Sequence, residues 1–241
     1  MYLVIDIGNT TQKAAIYNEK DEMLNYIQHD ILTCSEIEPL FNEYPIGAAI
    51  ISSVGTANAP MVALLEQKTN LLKLVPDTKL PMALHYETPQ TLGTDRIACA
   101  VGAHALCPDH DVLAIQAGTC LVTDFVTAQG EYLGGSIAPG MRMRFQSLHE
   151  HTARLPLLEP QELDFFTGDS TQNSILSGVI RGMACEIDGI IQHYQTRYPH
   201  VEIFLTGGDT DFLANYIKNR IFAAPKLVLL GLYKILRFNV A

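Results

Sequence analysis

VIDIGNTTQKAAIY, residues 4–17, runs from an apolar stretch into Asp-Ile-Gly-Asn, passes two threonines and enters a second apolar stretch. It reads as a tight hairpin of buried strands, with Asp6 at the end of the first. AIQAGTCLVTDFV, residues 114–126, repeats that order, and Gln116 stands where Asp6 stands in the first copy. The offset, 116 − 6 = 110 residues, is close to half of the 241-residue chain. Doubling of one α/β unit would leave such an echo. The competing reading is a chance match, since glycine turns between apolar strands are common.

The neighbouring segments extend the pattern. MYLVIDIGNTTQKAAIYNEKDEMLNYI, from residue 1, alternates apolar stretches with polar punctuation and predicts three consecutive strands. SEIEPLFNEY predicts a short helix and IGAAIISSV a buried strand. NAPMVALLEQKT predicts a second helix, with Asn58 as its N-cap and Pro60 in its first turn. From Asp111 the series restarts: DVLAIQAG, TCLVTDFVTA and GEYLGGSIA predict three more strands, followed by helix from about Gly140. The longest predicted helix lies within residues 170–199, where Ile175, Leu176, Val179, Ile180, Met183, Ile187, Ile190, Ile191 and Tyr194 recur at helical spacing until Pro199. VEIFLTGG and DTDFLANYIKNR then supply a strand and a helix. The expected organisation is α/β, with domains at 1–110 and 111–241.

Composition bounds the function. With 48% hydrophobic and 17% charged residues the chain has the balance of a soluble globular protein rather than a disordered one. A formal net charge of −10 argues against a general nucleic-acid surface, which needs clustered Lys and Arg. It leaves room for an anionic nucleotide held by local donors. The five cysteines form no CxxC pair and read as reduced thiols. Met1 leads directly into a strand-like segment without a signal-peptide pattern, and no apolar run approaches the roughly 18 residues of a membrane span. The expectation is a cytoplasmic protein that engages neither membrane nor nucleic acid.

Chemistry concentrates in a few stretches. DIGNTTQK, residues 6–13, sets a carboxylate beside exposed backbone N–H groups and short polar side chains, a setting that binds phosphate readily. Gly8 would admit close approach of the backbone, Lys13 can meet a phosphate oxygen, and Asp6 can hold a metal directly or through water. A plain hairpin with Asn-Thr turn chemistry explains the same residues. Neither GxxxxGK[ST] nor a strand-to-helix GxGxxG occurs, so two other phosphate-binding folds are excluded.

In YETPQTLGTDRIACA, TDR opens an Ala-rich helix capped by Thr94, with Asp95 and Arg96 in its first turn. The helix dipole alone favours a carboxylate there. The functional alternative has Asp95 accept the proton of an attacking hydroxyl while Arg96 holds an anionic group of the acceptor. GGSIAPGMRMR and LTGGD place glycines at strand ends, for ligand approach or for tight packing. His149 and His151 lack a third ligand at metal-binding spacing and read as surface or structural.

Taken together these segments resemble the type III pantothenate kinases, members of the superfamily of acetate and sugar kinases, heat-shock chaperones and actin. The likeness covers nearly the whole chain and rests on DIGNTTQK (6–13), YETPQTLGTDR (86–96), AGT (117–119), GGSIAPGMRMRFQSLHEHTARLP (134–156), TGDSTQNSILSG (167–178) and LTGGDTDFLA (205–214). It implies two tandem ribonuclease-H-like domains, each a mixed β-sheet flanked by helices, with the active site in the interdomain cleft. The implied reaction is ATP-dependent phosphorylation of pantothenate to 4'-phosphopantothenate, the first step of coenzyme A biosynthesis, with Mg2+.

By the same resemblance Asp6, Ile7, Gly8, Asn9, Thr10, Thr11, Gln12, Lys13 and Thr119 bind ATP. Tyr86, Gly93, Thr94, Asp95 and Arg96 line the pantothenate site, with Asp95 as catalytic base. Thr171 would reach pantothenate across the interface of a homodimer. At the position of Gln116 the family usually carries an aspartate associated with a monovalent cation, K+ or NH4+. An amide keeps an oxygen ligand but removes a full negative charge, so poorer potassium binding or a lesser dependence on it is expected; the rival reading is that Gln116 accompanies reduced or lost activity.

Two rival functions remain on these residues. One is a kinase of the same superfamily with another small hydroxyl acceptor, since the phosphate turns see only ATP. The other is a non-catalytic regulator that keeps the nucleotide fold; Gln116 admits it, and the retained Asp6, Lys13, Asp95 and Arg96 argue against it.

Overall fold

A computed structural model of the chain describes residues 1–53 and 59–240. In chain order the first elements are β1 (Tyr2–Ile7), β2 (Gln12–Tyr17), β3 (Met23–His29), α1 (Cys34–Ile37), α2 (Leu40–Glu43), β4 (Ala48–Ser53), α3 (Ala59–Lys68), β5 (Asn70–Lys73), β6 (Ala83–Leu84) and α4 (Thr94–Leu106). There follow β7 (Val112–Ala117), β8 (Cys120–Val126), β9 (Glu131–Pro139), α5 (Met141–Glu150), α6 (Thr171–Leu176), a π-helical turn at Ser177–Arg181, α7 (Gly182–Arg197), β10 (Glu202–Thr206), α8 (Thr210–Ala214), β11 (Phe222–Ala223) and α9 (Leu227–Val240).

The chain forms two compact units. The first takes the described residues of Met1–Pro108, Gly130–Leu133 and Lys226–Ala241, and the second Asp109–Gln129 and Gly134–Pro225. They do not divide at residue 110 alone, because α9 returns to the first unit and β6 pairs with Glu131 and Tyr132 at the start of β9. The reason for the return is close packing. A β-carbon on Gly231 of α9 would lie 1.7 Å from the Ala98 carbonyl oxygen, and one on Gly102 of α4 would lie 2.3 Å from that of Leu227. Only glycine lets the two helices approach so closely.

In the first unit the sheet order is β3-β2-β1-β4-β5, with β1–β2 and β2–β3 antiparallel and β1–β4 and β4–β5 parallel. Strand alternation sends Leu3, Ile5 and Ile7 to one face, where they meet Ile37, Met61 and Leu65. Val4 and Asp6 take the other face.

The second unit repeats the plan as β11-β10-β7-β8-β9, with β7–β8 antiparallel and β7–β10 and β10–β11 parallel. Read from the hairpin side, both sheets run third, second, first, fourth, fifth. Both units are thus mixed sheets of ribonuclease-H-like type, and the echo between residues 4–17 and 114–126 is structural. The second core joins Leu113, Ile115 and Leu205 to Ile180, Met183, Ile187 and Ile191.

Several predicted elements change in detail. Pro39 splits the expected SEIEPLFNEY helix into α1 and α2. The long helix is interrupted by the π turn, and the expected helix over 209–220 ends at Ala214. Asn58, the expected N-cap of α3, lies outside the described residues. No helix among them is long and apolar enough to cross a membrane.

Candidate active site

The β1–β2 turn is narrow by necessity, since a β-carbon on Gly8 would stand 2.8 Å from the carbonyl oxygen of Thr11. Asn9 and Thr10 form an exposed bend at its tip. Ile7 and Gln12, named with the same turn, are occupied by the fold. Ile7 is buried in the core, and the Gln12 Oε1 accepts a 2.8 Å hydrogen bond from the Leu32 N–H. Only their main-chain groups are left to face outward from the turn.

Antiparallel pairing sets Asp6 opposite Lys13, and parallel pairing sets it beside Ser52 on β4. Asp6 is only 6% exposed and its Oδ1 has no hydrogen-bond partner. Burial pushes its carboxyl up to about 6; the Lys13 ammonium opposes the rise and the Asp95 carboxylate adds to it. Residues 6, 13 and 95 therefore share one electrostatic environment.

Asp95 arrives there on α4. The hydroxyl of Thr94, its first helical residue, lies 2.9 Å from that of Ser52 and ties the helix start to the end of β4. Gly93, not Thr94, is the N-cap. A β-carbon at Gly93 would come within 2.5 Å of Asp95 Oδ1, so glycine clears the space the carboxylate uses. Arg96 is buried, at 6% exposure. Its Nη1 donates to the Tyr86 hydroxyl at 3.4 Å, and its guanidinium lies 5.7 Å from that ring's centre. Tyr86 in turn packs against Tyr132.

In the second unit three glycine-bearing stretches converge. The Gly118 N–H bonds the Cys120 carbonyl within the β7–β8 turn, and the Gly140 N–H bonds that of Thr119. β-Carbons on Gly140 and Gly207 would strike the carbonyl oxygens of Gly118 and Ala117 at 2.0 and 2.1 Å, and Gly207 has φ +103°. Those two glycines serve packing. Gly208 has open space where a side chain would start, and Thr119 is exposed.

Asp209 sits at this junction and was not anticipated. Burial raises its carboxyl, while Arg142, 3.8 Å away, opposes the rise. The only signal for it in the chain was its place directly after the glycine pair.

Gln116 lies on β7 between Val122 of β8 and Thr206 of β10, and its Nε2 is buried without a hydrogen-bond partner. Thr171 is exposed as the first residue of α6, behind the N-cap Ser170, whose Oγ accepts from the Asn173 N–H at 3.2 Å. The His149 Nδ1 lies 2.8 Å from the Leu155 carbonyl oxygen, which accounts for it structurally.

The residues fit a magnesium ion carried in by phosphate. Asp6 offers an unpartnered buried carboxylate oxygen, and among the described residues no group of three His, Cys, Asp or Glu could hold a metal without other ligands. One protein carboxylate plus phosphate oxygens and water is the usual pattern for Mg2+. They do not fit a tightly held monovalent cation at residue 116. A neutral amide stands there with an orphan nitrogen, and either amide orientation leaves the position without charge.

A family model described as type III pantothenate kinase matches residues 2–193. The chain is 43% identical over 240 residues to a type III pantothenate kinase of Phocaeicola vulgatus, covering 99% of both chains. Among solved structures it is similar to a candidate Baf family transcriptional activator from Campylobacter jejuni, with TM-score 0.62 and 24% identity over 98% of each chain. It is also similar to a ROK family glucokinase from Streptomyces griseus in complex with glucose and AMPPNP, with TM-score 0.53 and 14% identity over 98% of this chain and 99% of that one. The two structural likenesses are likenesses of fold.

Proposed function

This chain belongs to the type III pantothenate kinase family, kinases that phosphorylate pantothenate in coenzyme A biosynthesis, and on that premise we propose how its own residues divide the work. Residues 6–13 take the phosphates of ATP, Lys13 through its ammonium and Gly8 to Thr11 through main-chain and side-chain donors. Thr119 contacts the same nucleotide. Asp95 accepts the proton of the pantothenate hydroxyl as its oxygen bonds the γ-phosphorus and the bond to ADP breaks. Arg96, steadied by Tyr86, holds the pantothenate carboxylate. Gly93 and Thr94 line that site, and Thr171 contacts pantothenate.

The observation that carries this reading is the convergence of Asp6, Lys13 and Asp95 on one environment. Phosphoryl transfer through a loose, highly charged transition state needs alignment and charge neutralisation more than covalent chemistry. Asp6 would hold Mg2+, which supplies neutralisation of the phosphate oxygens when bound. A raised carboxyl with an unpaired oxygen is primed to exchange its proton for such a cation. At Gln116 the enzyme holds potassium or ammonium weakly or not at all.

The working unit is a homodimer, with the active site near the subunit interface. Support comes from apolar side chains left in solvent on the second unit, Ile137 at 63% and Phe166 at 66% exposure, together with Met143 and Leu157. The enzyme works in the cytoplasm, in keeping with five free cysteines.

Phosphorylation assays across pantothenate, glycerol, acetate and simple sugars test the acceptor, and activity on a sugar with none on pantothenate overturns it. Asp95→Asn is expected to keep ATP affinity while turnover falls by about 10²- to 10⁴-fold. Undiminished turnover in that variant removes Asp95 from its role.

A further inference from the structure

The helix from Thr171 to Arg197 is built on a four-residue recurrence. Ile175, Val179, Met183, Ile187 and Ile191 are all buried, and each follows the last by four residues. On a regular α-helix such a series drifts by about 40° per step, which would carry the stripe off the core within a few turns. The π turn at Ser177–Arg181 takes up part of this drift, with the Gly182 N–H bonded to the carbonyl of Ser177, five residues back. Such wide turns often mark functional sites.

The same turn grips the segment that leads into α6. The Arg181 Nη2 donates to the Leu163 carbonyl at 3.0 Å and its Nε to the Phe165 carbonyl at 3.2 Å. The Ser177 hydroxyl donates to the Phe166 carbonyl. Arg181 also lies 4.7 Å from the centre of the Tyr216 ring, whose hydroxyl accepts from the Leu163 N–H at 2.9 Å. Further along, Gly168 presses on α6, where a β-carbon would stand 2.2 Å from the Ser174 nitrogen, and Asp169 Oδ1 accepts from Asn173 Nδ2 at 2.7 Å. Residues 163–170 are therefore a strap pinned at both ends, and its last residue caps the turn that presents Thr171.

We infer that Arg181 is a positioning residue for pantothenate: by binding two carbonyls of this strap it sets where Thr171 stands. The inference rests on the reading of Thr171 as a pantothenate contact. Arginine suits the task because its planar fork reaches two acceptors at once, which a lysine ammonium on one flexible stem does not.

The test is steady-state kinetics of the full-length enzyme with Arg181→Ala, Arg181→Lys, Ser177→Ala and Thr171→Ala, together with backbone hydrogen exchange over residues 163–171. Arg181→Ala is expected to raise the KM for pantothenate about tenfold or more, leave the KM for ATP within about twofold, and speed exchange in the strap. Arg181→Lys should recover part of that loss. Ser177→Ala, which keeps the charge and loses one anchor, should shift the same KM less and serves if Arg181→Ala does not fold. Thr171→Ala should match the pantothenate effect, and adding Arg181→Ala to it should cost little more. If Thr171→Ala raises the pantothenate KM while the Arg181 and Ser177 variants do not, or if they raise both KM values equally, the inference falls alone. An unchanged KM in Thr171→Ala overturns the Thr171 reading and the inference with it.

Discussion

Asp95 Oδ1 lies where it would be 2.5 Å from a β-carbon on Gly93, so the smallest side chain at the N-cap of α4 would move the proposed base. Displacements near 1 Å cost about 10²-fold in well-aligned reactions, and Gly93→Ala is expected to lose turnover on that scale. ATP affinity should not change, because the nucleotide turn lies on β1 and β2. Turnover at the wild-type level in Gly93→Ala would show that the position of this carboxylate is not used.

Asp6 links pH to stability with a definite sign. Its folded-state carboxyl is raised from 3.8 to about 6, so the folded protein holds a proton that the unfolded chain has released. This contribution is fully present below pH 3.8 and is lost as pH rises through about 6, a change of about 3 kcal/mol at the upper end. Asp6→Asn should therefore gain stability over the ligand-free wild type as pH rises from 4 to 7, measured by urea unfolding. A stability difference that stays flat over that range would contradict the buried, unpaired state of this group.

Gln116 carries a prediction about salt. Turnover of the wild type in potassium and in sodium at equal ionic strength is expected to be similar, and Gln116→Asp should acquire potassium stimulation by restoring a charged oxygen ligand. A steep, saturable potassium requirement in the wild type would refute the assignment.

The Tyr233 hydroxyl donates to Asp21 Oδ1 at 2.7 Å and lies 2.9 Å from the Asn18 carbonyl oxygen, fastening α9 to the β2–β3 turn. Tyr233→Phe keeps the stacking on Tyr17 and should cost about 1–2 kcal/mol of unfolding free energy without altering either KM. The Lys234 and Tyr233 hydrogen bonds hold the Asp21 carboxyl below its ordinary value of 3.8. The stability it contributes is present above that value and lost as pH falls, so the deficit of Tyr233→Phe should shrink in acid. A deficit independent of pH would remove Asp21 from the interaction.

Much of the architecture was legible along the chain. The strands β1–β4 and β7–β10 follow from apolar runs broken by glycine and polar turns, and the repeated order is visible from two short stretches. The placement of helix α9 was not legible. Leu229, Leu232, Tyr233 and Leu236 recur at helical spacing, but the packing of α9 against α4 depends on Gly102 and Gly231 meeting from distant parts of the chain. The π turn was hidden for a different reason: a strict four-residue recurrence and an ordinary helical stripe look alike until the drift is followed over several turns. At the site, Asp6, Lys13, Asp95 and Arg96 were readable as chemistry-bearing types in favourable turns. The contact of Arg96 with Tyr86 ten residues before it, the tie between Ser52 and Thr94, and the burial of Asp209 were not, because each depends on how the chain folds back or packs around the residue.

Residue order alone determined the two strand-turn-strand units and the chemical types offered at their ends, since strand alternation and glycine turns are properties of neighbouring residues. Only the tertiary structure decided which glycines serve packing and which leave open space. It alone set Asp95 close enough to Asp6 to raise the latter's cost of ionisation and fixed Arg181 on the strap before Thr171. Steric contact, desolvation and Coulomb interaction depend on separation in space, and folding sets that separation independently of separation along the chain.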